Sequence, residues 1–195
     1  MKKQPNITPD FLFHIAKGFY DIGYLVAIKL KNDNSTTGFQ RIAPAVVNLS
    51  FSIELLLKGL HSITTKSDLT GHKFHDLYKK LPGPIKLKIE TKYRDHVLNS
   101  DKELTKIRII LSKVEGPDKP HNPDSKINDE MSIEDLLILH NDSFINWRYL
   151  YEVNEAGYEY EYDFKLMVSF AKSLIEVIND IKSTQPPTFI LNKVK

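Results

Sequence analysis

The architecture of this chain turns on the stretch Pro44-Ala45-Val46-Val47-Asn48-Leu49-Ser50-Phe51-Ser52-Ile53-Glu54-Leu55-Leu56-Leu57-Lys58-Gly59-Leu60. Proline suits a first helical turn, and the residues after it predict a helix over 44–63. Val46, Val47, Leu49, Phe51, Ile53, Leu55, Leu56, Leu57 and Leu60 cover most of its circumference. A helix that is apolar nearly all round must be wrapped by other elements, which places it at the centre of a bundle. The only charges in the run are Glu54 and Lys58, four residues apart and therefore on one face. If that face is covered, each charge needs a partner, because a lone buried charge is costly.

Working outward, Thr8-Pro9-Asp10 is a helix start, with Phe11, Ile15, Phe19, Ile22 and Val26 at helical spacing, so 9–31 reads as one amphipathic helix. A polar cluster over 32–38 closes it. After a loop at 64–72, a short helix is expected at 73–81, stopped by Leu81-Pro82-Gly83-Pro84, and another over 85–98. Ser100-Asp101-Lys102-Glu103 resembles a capping box ahead of Leu104, Ile107, Leu111 and Val114, which predicts a helix over 101–115, continuous with its predecessor or separate. Residues 116–130 hold three prolines and read as an exposed, mobile loop. Ser132 with Asp135 opens a helix to about Asn146, residues 147–162 read as irregular, and Phe164 to Ile181 carry the stripe of a closing helix over 162–183. Pro186-Pro187-Thr188-Phe189-Ile190-Leu191 reads as an extended apolar tail within 184–195. The expected fold is all-α: one bundle of five to seven helices over residues 1–183, with an apolar helix at its centre.

Composition limits the chemistry. The 195 residues contain no cysteine, which removes disulfides, thiolate nucleophiles and zinc–thiolate sites. The formal net charge of +2 conceals a division: residues 66–113 hold 12 Lys/Arg against 6 Asp/Glu, and residues 115–163 hold 3 against 13. The two segments either face each other across the fold or form patches for partners. No uninterrupted signal-peptide core or membrane span is read from the sequence, so the expectation is a cytoplasmic protein with no membrane association. The phosphate-loop, dinucleotide-binding, zincin and nucleophile-elbow motifs are missing. His72, His75 and Asp76 have only weak metal-ligand character, so neither metal nor cofactor is expected.

Trp147-Arg148-Tyr149-Leu150-Tyr151-Glu152 is the more informative motif. Tryptophan and tyrosines around one arginine suggest a guanidinium laid on aromatic faces, with Glu152 four residues on as a fork-bonding partner. Such an arginine either locks helices together or is aimed at a phosphate or carboxylate.

Three stretches in order, Phe51 to Leu60, Gly71-His72-Lys73-Phe74-His75-Asp76-Leu77-Tyr78, and Phe144 to Glu152, resemble the HEPN superfamily of helical nucleotide-binding domains. The resemblance implies a helical bundle, usually a homodimer, in a superfamily rich in toxins, phage-defence components and RNA-cutting enzymes. It implies Arg148 on phosphate, His72 as acid/base, and Glu54 and Lys58 organising the site with Tyr149, Tyr151 and Glu152. Active members carry Arg-x(4–6)-His. Here Arg41, Arg94, Arg108 and Arg148 all lack the histidine at that spacing. Two readings follow: a divergent RNA- or nucleotide-binding protein of a bacterial defence or toxin–antitoxin setting, or a non-catalytic helical module that dimerises or binds a protein partner. Whether the chain is an enzyme stays open at this point.

Overall fold

Thr8 begins the first helix as the sequence predicts, its Oγ1 accepting from the Phe11 N–H at 3.3 Å, in a computed structural model that describes residues 8–31, 35–111, 130–149 and 158–184. The helices are α1 (Pro9–Ala27), α2 (Thr36–Thr65), α3 (Phe74–Lys79), α4 (Gly83–Leu98), α5 (Ile133–Leu139), α6 (Ser143–Arg148) and α7 (Phe164–Ser183). Two strands, β1 (Lys106–Leu111) and β2 (Tyr158–Asp163), complete the described elements. The fold is an all-α bundle with one small ribbon. The loop expected at 116–130 and the tail at 184–195 lie almost wholly outside the described residues.

α2 is the central helix, and its apolar circumference is used in full. It packs against α1, α3, α6 and α7, and Leu49, Ile53, Leu56, Leu57 and Leu60 have no exposed surface. It starts earlier than Pro44: Ser35 caps it by accepting from the Gly38 N–H at 3.2 Å, and Pro44 lies inside the helix. Proline there removes one backbone donor and leaves the Gln40 carbonyl without its usual partner; one turn on, the Asn48 side chain donates to the Pro44 carbonyl at 2.7 Å. By length and composition α2 is apolar enough to cross a membrane, which corrects the reading that no segment is. Because 61% of that apolar window is buried within the bundle, its composition is that of a core helix.

Of the helix expected over 101–115, the described residues 101–111 form none. Asp101 instead makes a tight turn, its Oδ1 accepting from the Glu103 N–H at 2.9 Å, and the chain continues as β1. Leu104, Ile107 and Leu111 do fit helical spacing, yet Ile107-Arg108-Ile109-Ile110 is also a β-branched, alternating run. Its partner is remote in sequence. β2, within the stretch expected to be irregular, reads Tyr-Glu-Tyr-Glu-Tyr-Asp with strict period two, and pairs antiparallel so that Arg108 faces Glu161 and Ile107 faces Tyr162. Tyr160 and Tyr162 point into the core, while Arg108 and Glu161 form an ion pair at 3.4 Å. At this ribbon, the basic and acidic segments face each other across the fold.

The helix expected from Ser132 to Asn146 is broken into α5 and α6 at His140-Asn141-Asp142. Asn141 is drawn out of the helical pattern because its side-chain oxygen accepts from the His75 N–H at the start of α3, at 2.9 Å. α7 begins on Asp163, whose Oδ1 accepts from the Leu166 N–H at 2.9 Å. It then lies along α4, with Lys92 bridging Glu176 and Asp180 at 3.1 Å each.

Candidate functional site

Phe51, Glu54 and Lys58 share one face of α2 through their i, i+3, i+7 spacing, and this face meets α6 and the loop before α3. The Lys58 ammonium donates to Glu54 Oε1 at 2.7 Å. His72 Nδ1 lies 3.0 Å from the same oxygen. A carboxylate only accepts, so His72 carries its proton on Nδ1 and leaves Nε2 as the free ring nitrogen. Glu54 is 2% exposed and Lys58 19%, whereas the His72 ring is 67% exposed. The second carboxylate oxygen of Glu54 is buried and has no partner among the described residues. A buried anion thus holds a lysine and orients a surface imidazole, the arrangement by which a carboxylate fixes a histidine's tautomer.

Arg148 reaches the same side of α2 by a different route. Phe144 stacks on Phe51 with ring centroids 5.3 Å apart and planes 22° from parallel. The Arg148 guanidinium lies 5.6 Å from the centre of the Phe144 ring and 4.8 Å from that of Tyr149. Arg148 is exposed and makes no ion pair among the described residues, so its charge is held on a ring shelf and turned to solvent. Since Phe51 precedes Glu54 by three residues, the shelf sits roughly one helical turn, about 5 Å, along α2 from the carboxylate. The hydrogen bond from the His75 N–H to Asn141 ties the segment that carries His72 to the corner that starts α6.

One of the expected aromatic partners lies elsewhere. Trp147 does not hold Arg148; it is 2% exposed and packs on Tyr160 and Tyr162 at 6.0 and 6.3 Å. The reason is helical phase: Ser143 and Trp147 form the inner face of α6, and Phe144 and Arg148 the outer one. Tyr149 is in the site as expected. Tyr151 and Glu152, and with them the proposed Arg148–Glu152 fork, lie outside the described residues. Phe51, Phe144 and Asn141 were not singled out for these roles by sequence reasoning; Phe51, three residues before Glu54 in the same motif, was the available signal.

The floor of the α5–α6 corner is electrically silent. His140 is 1% exposed, with its ring 4.9 Å from that of Tyr162 and Nδ1 3.3 Å from Ser143 Oγ. Burial pushes its imidazole down to about 4, so it is neutral at pH 7. Lys58 and Arg148 are the cations of this face and Glu54 its buried anion, while Asp142 is exposed at the α5–α6 corner. Among the described residues no group of three or more His, Asp and Glu side chains could hold a metal ion.

Comparison with protein-family models, with curated proteins and with solved structures finds no match to this chain. The functional reading accordingly rests on the chain's own residues and geometry.

Proposed function

We propose that this chain is a HEPN-like protein that binds RNA or a nucleotide phosphate on the α2–α6 face, and that it belongs to a bacterial defence or toxin–antitoxin setting. The observation that carries this reading is the buried Glu54 carboxylate, with Lys58 and His72 on one oxygen at 2.7 and 3.0 Å and the imidazole open to solvent. Arg148, exposed on its ring shelf, supplies a planar donor fork for phosphate oxygens. Bases are natural neighbours for the half-buried rings of Phe144 and Tyr149 beside it.

In this reading the chain is a divergent ribonuclease. His72 Nε2 takes the proton from a ribose 2′-hydroxyl as its oxygen bonds to the adjacent phosphorus. The P–O5′ bond breaks to leave a 2′,3′-cyclic phosphate, and the departing 5′-oxygen takes a proton from water. Glu54 stabilises the imidazolium through Nδ1–H, and Arg148 offsets the charge that gathers on the phosphate. A single histidine stands in for the missing Arg-x(4–6)-His arrangement. The test is incubation of the purified protein with total RNA. Cleavage that disappears in His72→Ala while RNA binding persists supports the reading; intact RNA together with no salt-sensitive binding overturns it.

The second reading, a helical interaction module without chemistry, is favoured by one observation: Phe11, Ile22 and Leu25 of α1 are more than half exposed.

A further inference from the structure

Helix α4 and the start of α5 enclose a cleft of about 620 Å³ that shares no residue with the α2–α6 face. Glu90, Arg94, Val97 and Leu98 stand at i, i+4, i+7 and i+8 and so present one face of α4 to it. Across from them, Met131 and Ile133 flank Ser132, the residue that caps α5. Tyr93, Val97 and Ile133 are buried, Met131 is half-buried, and Leu98 is 83% exposed at the rim. The volume is that of about twenty waters and falls in the range of small-molecule sites, where a mainly apolar wall carries a few fixed polar groups.

The polar groups that matter here are charged. Ser132 uses its hydroxyl on Asp135, accepting from the N–H at 3.1 Å and donating to Oδ2 at 2.7 Å. A negative pole surrounds Tyr78. Glu90 Oε1 accepts from the Tyr78 hydroxyl at 3.4 Å, and burial together with the charges of Glu90 and Glu134 pushes that phenol up. Glu134 and Glu90 are therefore on the same side of the cleft, and the exposed Glu130 adds a carboxylate at its mouth. Lys86, 5.8 Å from the centre of the Tyr78 ring, offsets part of this charge.

The positive pole is Arg94, exposed and without an ion pair among the described residues. Glu90 and Arg94 have the i, i+4 order that favours pairing on a helix surface, yet they do not pair. Glu134 has no ion-pair partner among the described residues either. One turn of α4, about 6 Å of rise, separates Glu90 from Arg94. Both signs of charge thus line one apolar cleft without neutralising each other.

An apolar zwitterion answers this layout. Its ammonium meets Glu90 and Glu134, its carboxylate is forked by Arg94, and its hydrocarbon lies over Tyr93, Val97, Met131 and Ile133. A free α-amino acid carries both charges on one carbon. A dipeptide sets them one residue further apart, about 3.8 Å between α-carbons, which suits poles one helical turn apart. It also brings two side chains to a cleft that one would leave part-empty. Met131, unbranched and adaptable, lets the wall follow side chains of different shape.

We propose that the α4–α5 cleft binds an apolar dipeptide, its ammonium toward Glu90 and Glu134 and its carboxylate on Arg94. The inference is independent of RNA binding.

Isothermal titration calorimetry on the full chain tests it, with leucyl-phenylalanine as the probe. Saturable binding is expected below millimolar concentration. Acetylating the amine or amidating the carboxylate should each weaken binding about tenfold, the loss of one charge-assisted contact, and free phenylalanine should bind more weakly still. Arg94→Ala should erase the preference for acid over amide and keep that for free over acetylated amine. Glu134→Gln should narrow the second preference and keep the first. Both positions are exposed, so the helical circular dichroism should not change. Arg148→Ala should bind the dipeptide as the native chain does. No binding at millimolar dipeptide overturns the proposal, as do capped forms that bind equally well or tighter binding of free phenylalanine. So do Arg94→Ala and Glu134→Gln titrations superimposable on the native one, or loss of dipeptide binding in Arg148→Ala. Binding that appears only once residues 112–129 are shortened also overturns it, by giving the cleft to the chain itself.

Discussion

Replacing Lys58 by methionine should destabilise the protein more than neutralising the carboxylate it serves. Glu54 is 2% exposed, and one of its oxygens receives both Lys58 at 2.7 Å and His72 at 3.0 Å. Lys58→Met leaves a buried anion with a single imidazole donor and a second oxygen that already has no partner among the described residues. Breaking a fully buried pair from one side costs ~3–5 kcal/mol. Lys58 retains 19% exposure, so the low end applies, about 3 kcal/mol. Glu54→Gln removes the charge but keeps an accepting oxygen, and the released ammonium can turn outward to water, which brings that cost to about 1 kcal/mol. The double variant buries no charge and should also lose only about 1 kcal/mol, a coupling of ~3 kcal/mol between the two positions. Urea unfolding at neutral pH reads all four proteins, with midpoints shifting and slopes unchanged. If Glu54→Gln costs as much as Lys58→Met, or if the double variant is the sum of the singles, then the carboxylate is not the buried organiser of this site.

Further outcomes follow from the same packing. His140 titrates near 4 when folded and near its ordinary 6.5 when unfolded. Between those values the unfolded chain binds more protons, so stability rises with pH from 4 to 6.5 and is complete above it. The loss on acidification is on the order of 3 kcal/mol, and His140→Gln should flatten that part of a pH–stability profile. Gly23→Ala must displace Leu49 and should cost roughly 1–3 kcal/mol by thermal or urea unfolding. Arg148→Ala, at an exposed position, should leave the unfolding midpoint within experimental scatter while changing ligand binding.

The parts of the fold visible in the sequence are those fixed by local periodicity and caps. α2 announced itself because an apolar helix whose only charges are Glu54 and Lys58 has one place to go. Thr8 and its neighbours marked the start of α1 for an equally local reason. β1 was hidden because Leu104, Ile107 and Leu111 satisfy a helical period as well as Ile107 and Ile109 satisfy a strand period. What decides between them is Tyr-Glu-Tyr-Glu-Tyr-Asp, about fifty residues later, and that is a non-local contact. The break at Asn141 is of the same kind, since its cause is the backbone of His75.

The site divides along that line too. The i, i+4 spacing showed Glu54 and Lys58, and the Gly71-His72 turn suggested His72, but only the fold puts that imidazole on the carboxylate. For Arg148 the sequence showed an arginine among aromatics; Tyr149 does lie against it, whereas Trp147 does not. Helical phase assigns Phe144 to it and gives Trp147 to the core.

The central claim, that the α2–α6 face receives phosphate, is tested most directly by fluorescence-anisotropy titration of a labelled single-stranded RNA at several salt concentrations, with native protein beside Arg148→Ala. The account predicts salt-sensitive binding to the native chain. In Arg148→Ala it predicts an affinity lower by about tenfold and a plot of log affinity against log salt shallower by about one contact. Native protein that shows no binding at low salt, or an Arg148→Ala titration superimposable on the native one, would contradict it.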